Sequence, residues 1–219
     1  IEPVLQGAGG MHIYPPAAVR WLAEQARDRG WLLVLDEIAT GFHRIGLRQA
    51  FAFQRAQVKP DILCLGKALT AGYLTLAATL CSQDVADGIS ASESGVLMHG
   101  PTYMANPLAC AVANASLDLL DAYDPTVTWE GAEARLREGL APALEVPGVR
   151  DVRVIGSVGV IQLEQPVDVQ AATSAAMDAG VWLRPFRDLI YAMPPYVCET
   201  ADLEQIADGM VAAAKANHR

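Results

Sequence analysis

Two ionisable side chains stand where a buried strand should end. In DILCLGKALTAGY (61–73) the apolar run Ile62–Leu65 is followed by Gly66 and then Lys67, and in WLLVLDEIATG (31–41) the run Trp31–Leu35 is followed by Asp36. Ligands of open parallel sheets bind outside the carboxyl ends of the strands, which is where both groups fall. An amine held at an apolar rim has its charged form disfavoured, which frees it as a nucleophile. A carboxylate in the same crevice can pair with a cation, and a protonated pyridine nitrogen is one such cation. A lysine that forms a Schiff base, with an aspartate for a pyridinium nitrogen, is the pairing expected of a pyridoxal-phosphate site. A surface lysine near an ordinary salt bridge is the competing reading of the same residues.

Other segments add candidates. His99-Gly100-Pro101-Thr102 combines a backbone-exposing glycine, a rigid proline and a hydroxyl, which suits a phosphate contact. Arg184 lies between hydrophobes in VWLRPFRDLIYAMPPY (181–196), framed to grip a carboxylate in bidentate fashion, or else to pair with Asp188 or another acid. Arg187 is a secondary, surface candidate, and MPPY (193–196) reads as a rigid strand exit. The loop GAGGMH (7–12) lacks the third glycine of a dinucleotide fingerprint, because His12 stands in its place. It reads instead as a glycine turn near a ligand. His99 reads as a structural loop histidine, and His12, His43 and His218 have no spacing that implies a triad or a metal site. Cys64, Cys81, Cys110 and Cys198 lie far apart, without ligand or CxxC spacing, and read as thiols of a reducing cytoplasm.

The elements that must position these groups follow from the pattern. Tyr14-Pro15-Pro16 introduces a helix with Val19, Leu22, Ala23 and Ala26 on one stripe and Gly30 as its stop. Unalternating apolar strands such as WLLVL suit a parallel sheet covered on both faces. A short helix is expected within 47–59, another apolar segment at LAATLCS (76–82), and a helix from Asn106-Pro107 onward. After Tyr123 the texture changes. A charged helix leads to a hairpin around Gly156–Gly159, then a helix over about 168–179. The strand pair VWLRPF and LIYAMPPY comes next, then a terminal helix capped by Thr200 with Leu203, Ile206, Met210, Val211 and Ala214 on one face. The expectation is an α/β part over 1–123 with a mostly parallel sheet, and a smaller α+β part over 124–219.

The chain has 219 residues and a net charge of −9, so it repels nucleic acid, and no basic run offers an exception. Hydrophobic residues make up 52 % and charged residues 19 %, a surplus that a partner subunit would cover. The longest apolar runs are too short to span a bilayer. IEPV begins in mid-strand without an initiator Met, which reads as a chain lacking an N-terminal part.

Taken together, QGAGGM (6–11), DEIATGF (36–42), PDILCLGKALT (60–70), MHGPTYMANPLACA (98–111), DVRVIGSVGV (151–160) and WLRPF with LIYAMPPY (182–196) resemble the class III aminotransferases of pyridoxal-phosphate fold type I. HGPT followed by MANPLACA, and RPF with LIYAMPPY, are similar to the biotin-pathway branch of that family. The resemblance implies that Lys67 binds the cofactor covalently and that Asp36 holds its pyridinium nitrogen protonated. It implies that Pro101 and Thr102 supply a phosphate contact crossing a homodimer interface into a shared site. Arg184, with Gly100, would receive the carboxylate of 8-amino-7-oxononanoate, and S-adenosylmethionine would donate the amino group. Small-molecule substrates, a cytoplasmic setting and no membrane or nucleic-acid partner go with it.

A class III enzyme using lysine or an ω-amino acid as donor, and a non-catalytic aminotransferase-like protein, are the alternatives. The likeness covers only the C-terminal half of the family's chain, so the isolated 219 residues are expected to be inactive. The family's GFGRTG is GFHRIG here (41–46), the segment 47–58 is altered, and LTGG is LTAG with Ala71.

Overall fold

The computed structural model describes residues 1–46, 49–123 and 131–217. Expectations for Leu47, for the stretch after Tyr123 and for His218 fall outside the described residues. The chain divides into two compact units, Ile1–Asp124 and Pro125–Arg219.

In the first unit, β1 (Leu5–Gln6) and β2 (His12–Ile13) pair antiparallel around the glycine loop. Helix α1 (Pro16–Asp28) starts with Pro16 in the first helical position, where a missing N–H costs nothing. It buries Val19 and Ala26 and leaves Leu22 and Ala23 half-buried. It ends as expected: Gly30 takes φ +66°. The Gly30 N–H donates to the Arg27 carbonyl at 3.1 Å and the Trp31 N–H to Ala26 at 2.8 Å, satisfying the last carbonyls.

Strand β3 (Val34–Asp36) runs parallel to β4 (Ile62–Leu65), with Asp36 opposite Cys64. The strand is shorter than the apolar run WLLVL: Trp31 and Leu32 are exposed, and Leu33 donates its N–H to the Asp61 carboxylate at 2.7 Å. Strand β5 (Ala78–Cys81) pairs with β4 antiparallel, so this sheet is mixed, in the order β3-β4-β5. Of the helix expected in 47–59, α2 occupies Ala52–Ala56. Helix α3 (Gln83–Ser90) is capped by the Ser82 hydroxyl. Helix α4 (Pro107–Tyr123) is capped by Asn106, whose Oδ1 accepts from Leu108 at 2.9 Å and from Ala109 at 3.3 Å. Phe42, Leu65, Leu69 and Ala113 form a core here, with Phe51, Leu63 and Leu120 against it.

The second unit is α+β. After α5 (Ala132–Leu140) and a 3₁₀ turn (Ala141–Glu145), β6 (Val149–Ile155) and β7 (Val158–Leu163) form a hairpin. Its two-residue turn has Gly156 at φ +53°, as the primed turns require. Helix α6 (Val169–Asp178) is capped by Asp168, and β8 (Leu189–Ala192) pairs antiparallel with β7. Helix α7 spans Thr200–Ala216.

Two local expectations are corrected. Thr200 opens α7 instead of capping it, and Glu199 precedes it, its N–H bonded to Asp202 at 2.8 Å. VWLRPF is not a strand: only Phe186 pairs, across a tight turn, with Leu189. Pro185 has no N–H to give a ladder, which breaks the pairing there. Leu136, Leu140, Ile161, Leu189, Ile190 and Met210 fill the core of this unit. Among the described residues, no helix is long and apolar enough to cross a membrane.

Candidate active site

Adjacent parallel strands place Asp36 and Lys67 at one sheet edge. Asp36 ends β3, and Lys67 follows β4 after Gly66. The next backbone amide, Glu37 N–H, donates to the Cys64 carbonyl at 2.9 Å, so the two strand ends stay in register beyond the ladder.

Asp36 is half-buried, and its Oδ1 accepts the Ile38 N–H at 3.0 Å. It lines a cavity of about 390 Å³ with Glu2, Gln6 and Tyr14. The Tyr14 hydroxyl donates to the Glu2 carbonyl, and burial pushes the phenol's pKa up.

Lys67 opens a 3₁₀ turn, Lys67–Thr70, at φ +47°, a left-handed conformation that a lysine rarely takes. The turn is tied to helix α4 through the Ser116 hydroxyl, which donates to the Ala68 carbonyl at 3.2 Å. Lys67 lines a second cavity, about 460 Å³, with Thr70, Tyr73, Leu74 and Thr75. The apolar enclosure expected around this amine is not supplied by the described residues. Lys67 is exposed, because the turn carries its side chain off the end of the strand. Asp36 and Lys67 therefore share an edge but line separate cavities.

Gly100, Pro101 and Thr102 belong to the same unit and are exposed. Pro101 accepts the Met104 N–H at 2.9 Å, which turns the chain just after the threonine. They line neither cavity. A larger apolar groove of about 610 Å³, between Leu32, Val85, Ile89 and Leu97, contains none of the candidates.

Arg184 lies in the second unit. The alternative pairing with Asp188 is not made. The Asp188 carboxylate accepts from Gln162 at 2.7 Å and lies 4.0 Å from Arg150. The Gln162 hydrogen bond, opposed by desolvation and helped by Arg187 and Arg150, holds the Asp188 carboxyl below its usual range. Arg187 occupies the turn between Phe186 and Leu189 at φ +55°. Among the described residues, no group of histidines, cysteines and acids could hold a metal ion.

One participant was missed. Glu37 is fully buried. Its Oε2 accepts from the Thr40 hydroxyl at 2.8 Å and the Ala52 N–H at 3.0 Å, and Oε1 from the Phe53 N–H at 2.8 Å. Burial pushes its pKa above the ordinary value, with the three hydrogen bonds opposing. The signal lay in the dyad itself, since alternation along an extended chain turns Glu37 away from the side that Asp36 faces.

This donor set can hold a cationic heterocycle and an electrophilic carbonyl: one carboxylate with an oxygen already oriented, and one primary amine at the neighbouring strand end. The model of the family Aminotransferase class-III matches residues 1–214. The adenosylmethionine-8-amino-7-oxononanoate aminotransferase of Mycobacterium leprae is 51 % identical over 218 residues, covering 98 % of this chain and 49 % of the relative.

Among solved structures, an amine transaminase from an uncultivated Pseudomonas species in its PLP-bound form superposes with a TM-score of 0.88. It is 35 % identical and matches 96 % of this chain and 50 % of that one. The adenosylmethionine-8-amino-7-oxononanoate aminotransferase of Methanocaldococcus jannaschii gives a TM-score of 0.87 at 28 % identity, with 98 % and 52 % covered. The chain spans about half the length of the curated relatives it matches. It has the mixed helix-and-sheet architecture of the fold type I aminotransferases. On the match over residues 1–214, the chain belongs to the class-III aminotransferases.

Proposed function

We propose that the whole protein transfers an amino group from S-adenosylmethionine to the ketone of 8-amino-7-oxononanoate, giving 7,8-diaminononanoate in biotin biosynthesis. The observation that carries this is Asp36 and Lys67 at the ends of neighbouring parallel strands, in a chain about half identical to a relative named for that reaction. Residues 1–123 would be the C-terminal part of the large cofactor domain, and 124–219 the small domain.

Class-III aminotransferases depend on pyridoxal phosphate, and the donor set of Asp36 and Lys67 fits it. Bound there, the cofactor supplies an electron sink that stabilises negative charge on the carbon losing its proton. Asp36, held by the Ile38 N–H, would accept from the protonated ring nitrogen and keep the positive charge in place. Lys67 Nζ would hold the cofactor and, once released, carry the proton from the donor's α-carbon to the cofactor's aldehyde carbon, and in the second half-reaction from that carbon to the acceptor. Thr102 and the backbone after Pro101 would hold the phosphate from a second copy of the chain. Arg184 would bind the acceptor's carboxylate.

The second copy is supported by the exposed apolar side chains around this segment, with Met98 at 82 % and Tyr103 at 84 % exposure. Cys64, Cys81, Cys110 and Cys198 lie far apart in the sequence without ligand or CxxC spacing, which suits a reducing cytoplasm. A class-III enzyme using lysine or an ω-amino acid as donor is the second reading, favoured by the superposition on the amine transaminase.

In the whole protein, borohydride reduction should fix a phosphopyridoxyl group on Lys67, and Lys67→Ala should lower turnover by at least about a thousandfold. Turnover retained in Lys67→Ala defeats the reading. Turnover with lysine but not S-adenosylmethionine selects the second.

A further inference from the structure

Arg184 has no carboxylate partner among the described residues, yet its guanidinium is not left loose. Its Cζ lies over the Trp182 ring, 5.6 Å from the centroid. Both side chains are exposed, Trp182 at 67 %, while Leu183 and Pro185 are buried on the other side of the same extended segment. That alternation puts Trp182 and Arg184 on one face, with the two buried neighbours anchoring the backbone beneath them. Pro185 narrows the backbone of Arg184 to extended conformations. Asp188, the nearest acid in sequence, is occupied by Gln162 and Arg150 and does not compete for the guanidinium.

A cation over an aromatic face is attracted by the ring's quadrupole, while the in-plane N–H groups of the guanidinium stay available. An arginine held this way loses less side-chain freedom on binding a carboxylate than one that samples solvent.

We propose that Trp182 is a positioning residue for substrate selection. It holds the Arg184 guanidinium so that its N–H fork is presented to the carboxylate at the end of an acceptor's alkyl chain. The inference rests on the transamination reading above, in which Arg184 meets that carboxylate. Trp182 does no chemistry on the reacting atoms, so its effect falls on acceptor binding and not on the donor half-reaction.

The test uses the whole protein with Trp182→Ala, Trp182→Phe, Arg184→Ala and the Trp182→Ala/Arg184→Ala double variant. KM and kcat are measured for 8-amino-7-oxononanoate and for the donor, and acceptor binding to the apoprotein is measured by calorimetry. Trp182→Ala should raise the acceptor's KM and its dissociation constant roughly threefold to thirtyfold, leaving kcat and the donor's KM within about twofold. Trp182→Phe keeps a ring under the cation and should show less than half of that rise on a logarithmic scale. Trp182→Ala should add nothing once Arg184 is already alanine.

If Arg184→Ala weakens the acceptor but Trp182→Ala does not, the proposal fails and the carboxylate reading stands. Equal losses in the Phe and Ala variants, or a Trp182 effect that persists undiminished without Arg184, also overturn it. If Arg184→Ala leaves the acceptor unaffected, both the proposal and the carboxylate reading fall.

Discussion

One of this chain's departures from the family pattern amounts to a single methyl group. Ala71 replaces a glycine and sits at φ +50°, closing the turn that begins at Lys67, with its side chain in solvent. An L-residue in the left-handed region costs roughly 1–2 kcal/mol. Glycine would remove that cost but bring about 0.4–1 kcal/mol of extra freedom to the unfolded chain. The first effect is the larger, so Ala71→Gly should stabilise by about 0.5–1 kcal/mol, read as a higher urea midpoint with an unchanged slope. His43 also takes a left-handed conformation, φ +67°, where the family pattern has glycine. Lys67 itself keeps the left-handed conformation, a local cost that the surrounding packing sustains. Its identity was legible in the sequence. Its exposure was not, because that follows from the direction in which the turn leaves the strand.

Among the elements, Glu37 joins the end of β3 to α2 through two hydrogen bonds, accepted from amides 15 and 16 residues away. Its folded-state pKa is raised above the ordinary 4.5, chiefly by burial. The sign follows from linkage: its contribution to stability is complete below pH 4.5 and is lost as pH rises through the raised value. Glu37→Gln removes that titration but turns an amide nitrogen toward an N–H or O–H donor, a cost of roughly 1–3 kcal/mol at any pH. In the whole protein the variant should melt lower throughout. The gap to the parent should be widest near pH 4.5 and narrow as pH rises, as followed by thermal melts across a pH series.

Sequence pattern located β3, β4 and their parallel pairing, since unalternating apolar runs suit that arrangement. It did not show that β5 runs antiparallel to β4, because an apolar run carries no direction. The extended segment 181–186 was read as a strand for the same reason. A ladder needs a partner's amides, and Pro185 interrupts its own.

On the scale of the molecule, the exposed apolar surface of the first unit is what most needs covering. Leu97, Met98, Tyr103, Met104 and Leu108 are each more than half exposed, along a segment holding the proposed phosphate contact. If a second copy covers it, Leu108→Glu would place a charge in an apolar interface and cost several kcal/mol of association. Light scattering of the whole protein should then report a monomer where the parent is a dimer, with cofactor retention falling in parallel. A variant that stays dimeric would move the interface elsewhere. The surplus of hydrophobic residues in the composition already pointed to missing cover.

Residue chemistry and local conformation were determined by the sequence alone. A lysine and an aspartate after two apolar runs specify an amine and a carboxylate at a strand edge. Pro16, Gly30 and the Asn106-Pro107 pair mark where helices start and stop, because capping depends on atoms within a few residues. Only the tertiary structure decided which carboxylates are already engaged: Glu37 with α2, Asp188 with Gln162 and Arg150. It also decided that Arg184 rests on an indole and that Lys67 stands open. Those outcomes depend on groups brought together from distant positions, and burial and partnership are properties of the folded surroundings rather than of any one stretch of chain.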